Sequence, residues 1–188
     1  MRNFQKVYIL WSNRDDSLPL FINYRQKDLN WVELEEFMNG TRPIAQYKPF
    51  NFIIKKPKKL VCDYFGGNKQ GMVSKRLLDL TNVFDNYRKF PVQINGQDFL
   101  TLIIDKETNC LDRANSIYVE LEENAKIFLS IAEYTFFNDK VDVNHVFSIP
   151  EYNYLYCTDI VKKELEKLST LGFSFIEIYD VTTGRVPI

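Results

Sequence analysis

The chain has 188 residues and a mass of 22.3 kDa, enough for one ordinary domain, or a domain with a small lobe, that folds without disulfide or metal staples. An apolar fraction of 45% and a charged fraction of 26% argue against disordered, collagen-like and membrane-spanning classes. Twenty-four basic against 25 acidic side chains leave a net charge of −1, too little to steer the chain toward nucleic acid or an anionic membrane, so any partner is recognised locally.

Phe4 to Trp11 is β-branched and aromatic and predicts a first strand, ended by the polar run from Ser12 to Ser17. Trp31, Leu34, Phe37 and Met38 fall on one helical face before the stop signal Asn39-Gly40. Residues 41–60 carry prolines and the cluster Lys55-Lys56-Pro57-Lys58-Lys59, which reads as a solvated connection rather than a nucleic-acid patch. A boundary near residue 60 therefore separates an N-terminal lobe, 1–60, from a main domain, 61–188.

Ser74 stands as the N-cap of a short helix whose stripe is Leu77, Leu80 and Phe84. Asn95-Gly96 between Phe90–Ile94 and Gln97–Ile104 is a hairpin signal, because both central residues of a type I′ turn need positive φ. Strands follow at 116–121, 125–136, 146–149 and 154–157. Thr158 caps an amphipathic helix running to Leu171, with Gly172 as its left-handed stop, and residues 173–179 alternate as a final strand. Strands and helices mix without regular βαβ alternation. The expected class is α+β, a mixed and mainly antiparallel sheet with a few short helices packed on it.

The scarce residues narrow the chemistry. Cys62, Cys110 and Cys157 are far apart, so no CxxC pair offers a zinc, iron–sulfur or redox site, and they read as buried reduced thiols of a cytoplasmic protein. His145 reads as a strand-edge residue rather than a ligand or a base. Neither GxGxxG nor GxxxxGK[ST] occurs, and no signal-peptide core is visible. No metal, cofactor or catalytic residue is expected.

The run Asp63-Tyr64-Phe65, then Val73-Ser74-Lys75-Arg76-Leu77, then Phe90-Pro91-Val92 entering the hairpin, then Cys110-Leu111-Asp112-Arg113 with Ser116, resembles a family of bacterial immunity proteins from polymorphic toxin systems. Val146-Phe147-Ser148-Ile149, a strand ending at Thr158, an amphipathic helix and Leu171-Gly172-Phe173-Ser174-Phe175 are similar to its C-terminal half; the likeness covers roughly residues 60 to 178. The resemblance implies a small cytoplasmic protein, not an enzyme, that binds a cognate toxin domain and blocks it. It implies no nucleic-acid or membrane partner, and a second copy of the chain is a further admissible one.

Contacts of such an inhibitor are expected on loops and exposed aromatics. Glu151, Tyr152 and Tyr154 fit best, since alternating tyrosines offer stacking area and polar tips at low entropy cost. Asp63, Phe65, Asp112 and Arg113 complete the candidate set, although Asp63 also suits a turn cap and Asp112 with Arg113 an internal charge pair. Exposed loops at Asn13–Asp16 and Phe65–Asn68 rank lower. Two rival readings are an adaptor module that exposes an apolar patch, and a small enzyme built on carboxylates such as Asp63, Asp105, Asp112 and Glu177.

Overall fold

A computed structural model describes residues 4–12, 50–52, 62–65, 71–94, 96–123, 126–168 and 172–184. The expected helix at 31–38, the loops at 13–16 and 66–68, the lysine cluster at 55–59 and the junction at residue 60 lie outside them.

One sheet has the order β11-β1-β10-β9, wholly antiparallel, from β1 (Lys6–Ser12), β9 (Phe147–Ser148), β10 (Leu155–Thr158) and β11 (Phe173–Asp180). β1 carries a continuous apolar run because it is central in its sheet and buries Val7 and Ile9 on one face and Tyr8 and Leu10 on the other. Val7 and Ile9 enter one core with Phe147, Ile149, Tyr156 and Ile178, whereas Tyr8 and Leu10 enter another with Leu155, Cys157, Val161 and Leu165. A second sheet, β2-β5-β6-β4-β3, is formed by β2 (Phe50–Phe52), β3 (Tyr64–Phe65), β4 (Met72–Ser74), β5 (Tyr87–Ile94) and β6 (Gln97–Ile104), with only β2 and β5 parallel. Tyr64, Val73, Tyr87 and Leu102 from this sheet share the core of Tyr8 and Leu10. β7 (Ile117–Glu123) and β8 (Lys126–Glu133) make a separate antiparallel ribbon. The described chain is thus mainly antiparallel β with two short helices, α1 (Lys75–Leu78) and α2 (Asp159–Lys167), and lies further toward all-β than the α+β expectation.

The expected hairpin joins β5 to β6, with Ile94 opposite Gln97 and Gly96 at φ +77°. Ser74 caps α1 by accepting from the Leu77 amide at 3.2 Å, yet α1 is four residues long and Leu80 is 54% exposed. The expected stripe is corrected to Leu77 and Phe84, because the helix closes at Asp79 before Leu80 can take a helical position.

Helix α2 is capped by Thr158 and buries Val161 and Leu165, but it ends at Lys167 instead of Leu171. Gly172 does have positive φ, at +95°, but its place is the entry to β11 and not the C′ of α2. Asp159 in the first turn accepts from the amides of Gln5 at 2.8 Å and Lys6 at 3.3 Å and from Lys163 Nζ at 2.9 Å, which ties α2 to β1. Burial raises the Asp159 pKa, but these donors outweigh it and hold the carboxyl below its ordinary 3.8. A depressed carboxylate stabilises the fold above its unfolded pKa and ceases to do so as pH falls through the folded value. Asp159→Asn is therefore expected to lose about 2 kcal/mol at neutral pH, with the deficit to the parent closing below pH 3.8, in urea titrations across pH.

Candidate interaction surface

The face of the first sheet that carries Val7, Ile9 and Trp11 is only partly covered. Ile9 pairs with Ile176 and Trp11 with Ser174, so these four side chains share that face and form a floor. Ser130 and Ile131 of β8, followed by Tyr134, line the groove beside that floor, and Tyr152 and Tyr154 contribute the chain entering β10. The groove encloses about 560 Å³, and every described side chain lining it is uncharged.

Ring geometry fixes its shape. Trp11 and Tyr154 lie 5.6 Å apart at 59°, Tyr152 and Tyr154 stack at 6.4 Å and 7°, and Tyr134 meets Tyr152 edge-on at 6.5 Å. Such contacts contribute ~1 kcal/mol each beyond area burial and hold the rings as a preformed surface. Tyr134 is 2% exposed; burial pushes its phenol up to about 12, partly offset by the hydroxyl of Tyr156 at 3.5 Å. Tyr152 is likewise raised by burial. These phenols stay neutral hydrogen-bonding groups at any physiological pH.

Beside the tyrosines, Glu151 Oε1 accepts from Arg113 Nε at 2.5 Å. The second oxygen, Oε2, is buried without a hydrogen-bond partner among the described residues, while the guanidinium side chain is 64% exposed. The expected Asp112–Arg113 pair is thus corrected. Asp112 is engaged by the amides of Ala114 at 3.2 Å and Asn115 at 3.3 Å and by Asn115 Nδ2 at 2.7 Å, which closes a local turn and frees Arg113 to span 38 residues of sequence. Glu151 and Arg113 therefore adjoin Tyr152, whereas Asp112 props their loop.

Asp63 sits in the other sheet. It is 3% exposed and accepts from Ser74 Oγ at 2.6 Å and Arg76 Nη2 at 2.5 Å, joining the residue just before β3 to the α1 cap. Phe65 is the second residue of β3, paired with Met72. Asp63 does not line the groove. Sequence reasoning missed Trp11, Tyr134 and Ile176 as groove residues, because each looked like an ordinary strand member. The usable signal was the apolar spacing Val7, Ile9, Trp11, which sends Trp11 to the same side as its predecessors.

The four carboxylates of the enzymatic reading occupy separate places. Asp63 and Asp112 are engaged as described, Asp105 pairs with Arg88 across β5 and β6, and Glu177 takes Lys6 Nζ at 2.8 and 2.9 Å. Among the described residues no three His, Cys, Asp or Glu side chains are grouped as metal ligands. His145 is not a strand-edge residue but lies in the bend before β9, with Nδ1 3.1 Å from both oxygens of Asp142. The three cysteines are buried thiols, and burial raises those of Cys62 to about 11 and Cys110 to about 12, so they are poor nucleophiles. No described helix is long and apolar enough to cross a membrane.

No curated protein matches the chain. Its sequence does match the immunity protein family Imm11 over residues 7–180, a span that takes in all of β1 but Lys6, both core clusters but for Phe4, the groove and β11, and the chain therefore belongs to that family.

Proposed function

We propose that the chain is a cytoplasmic immunity protein that neutralises a cognate bacterial toxin domain by binding it one-to-one, without performing chemistry. Family membership supports toxin immunity, and the uncharged aromatic groove is the observation that supports capture by contact. Large, fixed rings with little conformational entropy left to lose are what a protein interface uses as anchors. Tyr152 and Tyr154 are assigned as the anchors, with Glu151 and Arg113 as charged neighbours that orient the partner. Asp63 and Asp112, whose carboxylates are taken up by nearby donors, are assigned to the scaffold, and Phe65 stays a candidate contact.

The test is co-expression with the toxin encoded beside it. Cells carrying the toxin alone are expected to stop growing, cells carrying both to grow, and the purified pair to elute as a single one-to-one species. Failure to rescue growth together with failure to form the complex removes the proposal.

A further inference from the structure

Asp63 and Glu151 are buried carboxylates that each hold an exposed guanidinium, and they hold it differently. Arg76 donates to both oxygens of Asp63, Nε to Oδ1 at 3.2 Å and Nη2 to Oδ2 at 2.5 Å, the paired geometry of a structural ion pair. Arg113 instead brings Nε and Nη2 to one oxygen of Glu151, both at 2.5 Å, and Oε2 is left buried without a partner among the described residues. The Glu151 side chain is only 10% exposed, and a buried acid engaged through one oxygen does little to stabilise a fold. What the contact does achieve is to fix the guanidinium.

It fixes it at the rim of the groove. Glu151 precedes Tyr152, whose ring stacks on Tyr154 in the groove wall. Tyr118 adjoins the same groups: burial and the charge of Glu151 raise its phenol, and Arg113 draws it back. Because Nε and Nη2 face Glu151, the planar fork turns its other edge, Nη1 with the outer hydrogen of Nη2, away from it. That edge has no acceptor among the described residues, and the side chain is 64% exposed. Asp112 beside it directs its carboxylate to Ala114 and Asn115. Two parallel N–H groups match the two oxygens of a carboxylate, and a guanidinium already held in place loses little rotamer freedom when it binds one.

We infer that the toxin domain presents an aspartate or glutamate carboxylate to the outer edge of Arg113, which makes this guanidinium the specificity-determining contact beside the groove. The inference rests on toxin capture as the function. Affinity for the purified toxin domain encoded by the neighbouring gene, titrated across salt concentrations, tests it in Arg113→Gln and in the double variant Arg113→Gln with Glu151→Gln, which leaves no buried acid unpaired. Both are expected to bind at least ~10-fold more weakly than the parent at low salt, with a shallower salt dependence. Lys163→Gln removes an equally exposed cation from α2, whose Val161 and Leu165 pack on the opposite face of the sheet, and is expected to bind as the parent does. Replacing the toxin domain's acids singly by their amides is expected to find one whose loss costs nothing further once Arg113→Gln is present. Parent-like affinity and salt dependence in both Arg113 variants overturns the pair and leaves toxin capture standing. Weakening without any acid that couples also overturns it, since the acceptor is then a carbonyl. The chain alone is expected to sediment as a monomer; a dimer that Arg113→Gln dissociates assigns the carboxylate to a second copy and overturns the toxin as its source. Absence of any complex between the folded chain and that toxin domain removes toxin capture, and this inference with it.

Discussion

Tyr154→Ala is expected to weaken toxin binding by about 2 kcal/mol, roughly 30-fold in Kd, with the fold intact. Tyr154 is half-buried against Trp11 and Tyr152, so removing its ring opens the groove and loses both its own contact with the partner and the support it gives its neighbours. Tyr154→Phe keeps the ring and is expected to retain most of the affinity. Trp11→Leu combined with Tyr154→Ala is expected to cost less than the sum of the two, because rings 5.6 Å apart share one binding surface. Isothermal titration reads the affinities, and urea unfolding of each variant separates binding from stability. Equal affinity for parent and Tyr154→Ala would exclude the groove as the contact surface.

Gly172→Ala is expected to be among the most destabilising single-methyl changes in the chain, by about 4 kcal/mol in urea unfolding, from two independent causes. Its φ of +95° is strained for any L side chain, and an added Cβ would stand 2.3 Å from Cys62 Sγ and 2.7 Å from the Tyr64 carbonyl oxygen. The thiol of Cys62 already points at that carbonyl, 2.9 Å away, so the space is closed from both sides. Cys62→Ala in the same chain is expected to recover part of the loss, the share due to the thiol, and to leave the backbone strain. Full recovery would show that φ contributes nothing.

That glycine also marks where sequence reasoning stops. A glycine after an amphipathic helix predicts a left-handed stop, and the left-handed φ is present, but the reason is tertiary: residue 172 crosses against Cys62 and Tyr64, which lie more than one hundred positions earlier. Local chemistry was legible where it is self-contained. Asn95-Gly96 marked the hairpin, Ser74 and Thr158 marked the helix starts, and each works through atoms within three residues. Stop positions were not legible, since α1 closes at Asp79 and α2 at Leu168 although the apolar spacing of the sequence runs on beyond both.

The groove divides in the same way. Tyr152 and Tyr154 stood out because alternating tyrosines beside a proline and an acid offer stacking area and polar tips at low entropy cost, and they stack on one another. Trp11 and Ile176 join them only through the strand order β11-β1-β10, which places opposite ends of the chain side by side, and Tyr134 joins them from the segment that follows β8. No local window contains that information. Nor does one contain the partner of Arg113, which passes over its neighbour Asp112 for Glu151.

The distinction between plugging a toxin and modifying it comes down to stoichiometry. A fixed amount of the purified toxin domain, titrated with the chain at concentrations far above Kd, is predicted to lose activity linearly and to reach zero at one equivalent, with no change on longer incubation. Complete inactivation by a small fraction of an equivalent, progressing with time, would contradict the account.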